Sequence, residues 1–401
     1  MNDKTKIMLL DGYSSRTLAC VRSFGRKGIK FVVGAESICD ISLFSKYCKE
    51  KFIYPDPRIS ISNFISTINY NIQKFNVNIL LPTSEKAILA FDSNREKINC
   101  ELLIPKTKEI NIMFSKYNTL NIAKQLGVLS PKTFLLNDKN IDSIIKKIVF
   151  PAIIKAECSE NIRGNKIIKG GGTSYVYNEQ DLLDEYQKRR RVIQNLIVQE
   201  FIDGFGVGIS GIFKNGKDIA LFGHKRIRES NPKGGPSALA ESISIDENLL
   251  KSTKKIIAKI GYTGPAMVEY RIDRNTNSAY LMEINGRFWG SILLPLALGL
   301  DLPYIWWKTI NGMEIRSEEI EYKVGVRGRY LLGDTKSLFY SLKGKSNNWQ
   351  GSFPTRKEAL EDYISSFFDR KTIHLMLNGR DIKPIFGQFL GIFKDLIKSH
   401  S

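Results

Sequence analysis

The stretch Leu281–Ser291 reads LMEINGRFWGS. It opens as an apolar strand, yet Glu283, Asn285 and Arg287 fall at alternate positions within it. A strand sends alternate side chains to opposite faces, so these three polar groups share a face for as long as the strand persists. The run AMVEYRID, ending at Asp273, is joined to SAYLMEIN by the turn-forming residues RNTNS. A hairpin symmetric about Thr276 sets Glu269 directly opposite Glu283. Val268, Tyr270 and Ile272 then take the other face, with Tyr280, Met282 and Ile284. Like charges about 5 Å apart across a hairpin destabilise it, and a cation between them reverses the sign. Two carboxylates with an Asn oxygen suit a hard, oxygen-seeking ion such as Mg²⁺, which keeps other positions for water and phosphate. Arg287 is then placed to hold a phosphoryl group or the charge developing on it. The competing reading is a solvated face on which the glutamates pair with Arg271 and Arg287.

Working outward, three cationic segments weigh against that plainer reading. Lys155 lies in FPAIIKAE, an otherwise apolar strand, where a lysine is costly unless it meets an anion. Gly170, Gly171 and Gly172 follow Lys166 and Lys169, and flexible backbone N–H groups there can close over phosphates. A triple glycine is also an ordinary flexible turn. Arg226 and Arg228 alternate along GHKRIRE before a second loop rich in Gly and Pro. Together the segments describe a site for Mg²⁺ and a polyphosphate.

The remainder of the chain bounds what that site belongs to. At 401 residues, 42% of them hydrophobic, it suits two or three packed domains. The strand–helix–strand run KIMLLDG, RTLACVRSFGRKG, IKFVVGA, followed by VNILLP, implies a parallel doubly wound sheet over roughly the first hundred residues. Its first turn offers only Gly12, so a dinucleotide fingerprint is absent there. Ser115 can cap a helix that stops at Gly127. Strands dominate from Pro151, interrupted by a helix at 247–260. Gly206, Gly208 and Gly211 match G-x-G-x-x-G, but a strand follows where the dinucleotide mechanism needs a helix N-terminus.

Five irregularly spaced cysteines and three histidines support neither a disulfide framework nor a Cys/His metal centre, and a reducing cytoplasm is the expected compartment. The N-terminus lacks a signal-peptide core, and the longest apolar run, ILLPLALGL, is far short of a membrane span. A net charge of +19 comes from lysines scattered through every region, which argues against nucleic acid and for anionic small molecules or a membrane surface. The densest run, KRRR at 188–191, falls late in a helix, where cations complement the dipole. At the end of the chain Ile385, Phe386, Phe389, Leu390, Ile392, Phe393, Leu396 and Ile397 form one helical stripe. That stripe packs on the body or makes a weak peripheral membrane contact.

In order along residues 5 to 310, the segments SKYNTLNIAKQLGVLSPKTF, FPAIIKAE, KGGGTSYVYN, IVQEFIDG, HKRIRE, GPAMVEYRID and YLMEINGRFWGS resemble the ATP-grasp superfamily of carboxylate–amine ligases. The nearest likeness is to the branch related to biotin carboxylase and carbamoyl-phosphate synthase. The resemblance implies an α/β and α+β architecture: a Rossmann-like domain over 1–110, a first ATP-grasp subdomain over 111–200, a second over 201–315 and a C-terminal accessory region over 316–401. It also implies ATP and Mg²⁺ as cofactors, with Mn²⁺ as a substitute for the metal. By motif, Lys116 and Lys155 resemble the phosphate-binding lysines, and Gly170–Gly172 the lid over the phosphates. Gln199, Glu200, Phe201 and Ile202 resemble the hinge that holds adenine, with Asp203 the acidic residue nearest to a ribose partner. Glu269, Glu283 and Asn285 resemble the metal ligands, and Arg287 the arginine at the transferring phosphoryl group. Arg226 and Arg228 resemble substrate- or phosphate-facing residues. Ser115 stands where the family often has Asp.

The reaction implied is ADP-forming: a substrate carboxylate is activated as an acylphosphate and captured by an amine. Relatives of this branch resemble enzymes of surface-polysaccharide and cell-wall pathways. Both small-molecule substrates are expected to be anionic, and a homodimer is compatible with the resemblance. The alternatives are a regulatory protein that keeps the ATP fold without chemistry, and a membrane-peripheral assembly factor.

Overall fold

The computed structural model describes residues 5–377, 379 and 381–391. The first unit is a five-stranded, wholly parallel sheet, ordered in space as Lys51–Ile53, Lys30–Ala35, Lys6–Leu9, Ile79–Leu81 and Glu101–Leu102. Parallel neighbours need crossovers, and the helices Ser15–Arg26, Ile61–Phe75 and Glu85–Asp92 supply them. Each starts on a serine (Ser14, Ser60, Ser84) whose hydroxyl accepts a first-turn backbone N–H. After Lys6 the central strand is apolar because both faces are covered. Met8 belongs to a core with Phe64, Ile68 and Phe91, whereas Ile7 and Leu9 join Leu18 and Phe24.

The second unit is a four-stranded antiparallel sheet in the order Ser174–Val176, Ala152–Ala156, Leu196–Glu200, Thr133–Leu136. Helix Glu179–Arg190 packs on it through Leu182 and Tyr186, and its last turn is basic. In that turn Arg189 ties back to Glu185, to the Ser174 hydroxyl and to the Gly172 carbonyl. A separate hairpin, Glu160–Arg163 with Lys166–Lys169, leans on the first unit. Asn165 meets Ser62 and Ile61 there, Arg58 pairs with Glu160, and Ile167 enters the Phe64 core.

The third sheet has seven strands: Ala279–Asn285, Gly264–Asp273, Gly204–Lys214, Lys217–Glu229, Ser237–Ile243, Arg327–Arg329 and Thr372–His374. All its pairings are antiparallel except the last. The C-terminal region therefore continues this sheet with its final two strands. It also reaches the first unit, since buried Arg22 bonds the Asp381 carboxylate at 3.0 Å and the carbonyls of Leu375 and Met376. Among the described residues no helix is long and apolar enough to cross a membrane. Of the C-terminal stripe, Ile385 packs against the core while Phe386, Phe389 and Leu390 are exposed; Ile392, Phe393, Leu396 and Ile397 lie outside the described residues.

Candidate active site

The two carboxylate strands pair antiparallel with Glu269 opposite Glu283 and Met267 opposite Asn285. The rest of the expected register changes. An irregularity after Glu269 sets Tyr270 against Leu281, so Leu281 joins Val268, Tyr270, Ile272 and Ile284 in the core, in place of Tyr280 and Met282. The extra residue of such a bulge releases Met282 from the apolar face, and it lines a cavity instead.

That cavity, of about 610 Å³, is bordered by Lys155, Arg226, Glu269, Glu283, Asn285 and Arg287. Three sheets converge on it. Lys155 comes from the middle of the four-stranded sheet, where its ammonium donates to Gln199 Oε1 at 2.9 Å. Lys116 stands in the first turn of helix Lys116–Gln125, capped by Ser115, whose hydroxyl also donates to Glu157. The Lys116 N–H bonds the Glu157 carbonyl, which seats the helix beside the Lys155 strand. Its ammonium then lies 3.9 Å from Glu283 Oε2. From the far side Arg226 reaches Glu269 Oε2 at 2.5 Å and Glu229 at 3.1 Å. Arg287 bonds Glu85 Oε1 at 2.6 Å, at the start of a helix in the first unit.

Burial and mutual charge set the protonation of this group. Burial and then the neighbouring Lys116 lower the Lys155 ammonium to about 8, against the pull of Glu283 and Glu269. Burial raises the carboxyl of Glu269, and Glu283 adds to the effect while Arg226 opposes it. For Glu283 burial acts upward too, but Lys116 and Lys155 outweigh it and hold the group below the usual range. Glu283 is thus the firmer anion of the pair. Asn285 donates its amide to Glu283 Oε1 at 3.2 Å.

The three glycines differ in their demands. A Cβ on Gly170 would meet the Cys158 carbonyl oxygen at 2.4 Å, Gly171 has a left-handed φ of 74°, and Gly172 stands in open space. At the strand end, buried Gln199 bridges Lys155 and Thr133. The Glu200 N–H and carboxylate are engaged by the Lys132 backbone, and the Ile202 carbonyl accepts from Arg271 Nε at 2.8 Å. Phe201 meets Tyr175 and Trp349 edge-on, each at 5.7 Å.

Two residues singled out in the sequence are directed elsewhere. Alternation alone would put Arg228 beside Arg226, but the pairing with Ser237–Ile243 slips between them. Arg228 instead forms a two-pronged ion pair with buried Asp334, at 2.7 and 2.9 Å, and reaches Ser366. Asp203 accepts the Ser352 N–H at 3.1 Å and faces the C-terminal region.

Sequence reasoning missed other residues that line the cavity, among them Arg16, Thr173, His224 and Trp289. Arg16 follows the first strand of the parallel sheet, at the carboxyl end where open α/β sheets bind ligands, a signal hidden by searching that turn only for glycines. His224 shares a face with Arg226 by simple alternation. Burial and then Arg226 push its imidazole down to about 3, so it is neutral at physiological pH.

No family model matches the chain. It is 25% identical over 194 residues to the D-alanine–D-alanine ligase of Carboxydothermus hydrogenoformans, covering 44% of this chain and 59% of the relative. It is also 25% identical over 247 residues to biotin carboxylase 1 of Bacillus subtilis, covering 57% and 53%. The chain thus spans little more than half the length of the curated relatives it matches. Among solved structures, the biotin carboxylase of Campylobacter jejuni superposes with a TM-score of 0.64 at 18% identity, over 81% of this chain and 75% of that one. The chain has the ATP-grasp fold, and its neighbours in sequence and in structure are enzymes of the ATP-grasp carboxylate–amine ligase group.

Proposed function

We propose that this protein is an ATP- and Mg²⁺-dependent ligase that activates a carboxylate as an acylphosphate and transfers the acyl group to an amine. The observation that carries the reading is the convergence of Glu269 and Glu283, face to face, with Lys116, Lys155 and Arg287 around one cavity. The donor set fits a divalent ion: two opposed carboxylates and an amide supply oxygens, and Arg226 on Glu269 already provides positive charge at that place. Glu269, Glu283 and Asn285 would hold the metal, which would supply positive charge to offset that of the phosphates.

The chain's own groups do the positioning. Lys116 and Lys155 hold the polyphosphate, and Gly170–Gly172 close over it. The end of the Leu196–Glu200 strand, through Ile202, takes the base. The substrate carboxylate attacks the γ-phosphorus, the bond to the β-phosphate oxygen breaks, and ADP leaves. Arg287 faces the charge that builds on the transferring group. The amine then attacks the acyl carbon, a C–N bond forms, phosphate departs with the former carboxylate oxygen, and the amine sheds a proton. No side-chain nucleophile is needed. The excess of basic residues favours anionic substrates, and the D-alanine–D-alanine ligase relative supports an amide product. Joining amino acids to carboxylated sugars or peptides, for surface polysaccharide or cell wall, is the pathway-level form of this reading.

The test is an ADP-release assay over pairs of acids and amines, with mass spectrometry of the product. Glu283→Gln should lower turnover at least about a hundredfold while the melting temperature holds. Turnover unchanged in Glu283→Gln would refute the metal role.

A further inference from the structure

Among the described residues, two guanidiniums of the cavity, Arg16 and Arg271, have no ion pair, and Arg271 gives its Nε to the Ile202 carbonyl. Arg226 pairs with Glu269 and Glu229, and Arg287 pairs with Glu85, while the Lys116 ammonium is near Glu283. Arg16 lines the same cavity, half-buried, and its side chain donates to the Ser14 hydroxyl at 2.7 Å. The carboxylates that act on it are already engaged. Asp11 accepts from the Thr83 N–H, the Ser84 N–H and the Ser84 hydroxyl at 2.7–2.8 Å, and Glu85 holds Arg287. Burial and the neighbouring Arg287 charge both disfavour the Arg16 cation. A desolvated guanidinium without a carboxylate is costly unless a ligand supplies the anion.

A residue of the same lining carries an unpartnered donor. Trp289 is fully buried, lines the cavity, and its indole N–H has no partner among the described residues. On the proposed reading Lys116, Lys155 and the glycine segment belong to the nucleotide phosphates and Arg287 to the transferring phosphoryl group, which leaves Arg16 and Trp289 without a ligand group.

We propose that Arg16, with the indole N–H of Trp289, recognises a carboxylate of the substrate other than the one that is activated. The inference rests on the ligase reading and narrows it: the substrate carries at least two carboxylates, as a dicarboxylic acid or an acidic amino acid does. Arg16 is a specificity residue for that second group.

The experiment uses the full chain with MgADP. Nucleotide binding is measured first by calorimetry, then binding of succinate, glutarate and L-glutamate, each beside its mono-methyl ester or amide. The wild type should bind at least one diacid about tenfold or more tightly than its monoanionic counterpart, the size expected of a charge-assisted pair. Arg16→Gln should erase that preference, Arg16→Lys should keep part of it, and Trp289→Phe should weaken the diacid several-fold. All three should bind MgADP as the wild type does. Diacid preference surviving in Arg16→Gln, or no preference anywhere in the panel in a protein that binds MgADP, overturns this inference alone. Failure of the wild type to bind MgADP overturns the ligase reading, and this inference with it.

Discussion

Lys155 carries a pH dependence that can be stated with its sign. Its ammonium is lowered by burial and by Lys116, and lifted by Glu283 and Glu269, with Arg271 also repelling it. The form that binds phosphate is the protonated one. Below pH 8 the free protein already holds that proton; above it the proton must be taken up on binding. MgADP affinity should therefore fall about fivefold between pH 8 and pH 9, with measurable proton uptake in calorimetry run in buffers of different ionisation enthalpy. For folding the sign is opposite. A lysine depressed in the folded state binds fewer protons there than in the unfolded chain, so its penalty eases from pH 8 upward. Much of this neighbourhood was readable in the sequence. Glu269 and Glu283 could be set opposite each other because a hairpin with a short turn has few registers. Arg228 could not be placed, because the slip that turns it toward Asp334 depends on pairing with the strand beyond the next loop.

At the scale of elements, the strand Gly204–Lys214 shows why a glycine pattern can mislead. Gly204, Gly206 and Gly208 lie beside Asp273, Arg271 and Glu269 on the same face. They are bare because something crosses over them. A Cβ on Gly208 would fall 2.2 Å from the His224 ring, and one on Gly206 would fall 2.7 Å from Arg226 Cδ. Gly208→Ala should thus displace His224 and cost about 1–3 kcal/mol in denaturant melts. Gly172→Ala, with open space around it, should leave the melt unchanged. The residues ISGIF from Ile209 onward read as a strand, which was enough to tell this segment from a dinucleotide loop. Which side chains the glycines admit was hidden, since those contacts come from the neighbouring strands.

Across the whole molecule, segments far apart in the sequence are locked together. The Asp381 carboxylate meets Arg22 and the Ser45 hydroxyl, and the Lys46 N–H donates to it at 2.8 Å. Both partners of the ion pair are almost fully buried. Asp381→Ala leaves the guanidinium buried and unpaired, and should cost about 3–5 kcal/mol in equilibrium unfolding. Long-range closure of this kind was illegible beforehand, because nothing in the local pattern around Asp381 marks a partner 359 positions earlier. The ring cluster at the strand end spans comparable distances. Trp349 meets Tyr175 edge-on at 4.7 Å, and Tyr175 comes shortly after the glycine segment. Trp306 and Trp307 belong to a separate core, while Trp289, in the same core, also lines the cavity. Trp349 is therefore expected to answer nucleotide binding in intrinsic emission, without any attached dye. Rapid mixing with nucleotide should give an emission change that is lost in Trp349→Phe.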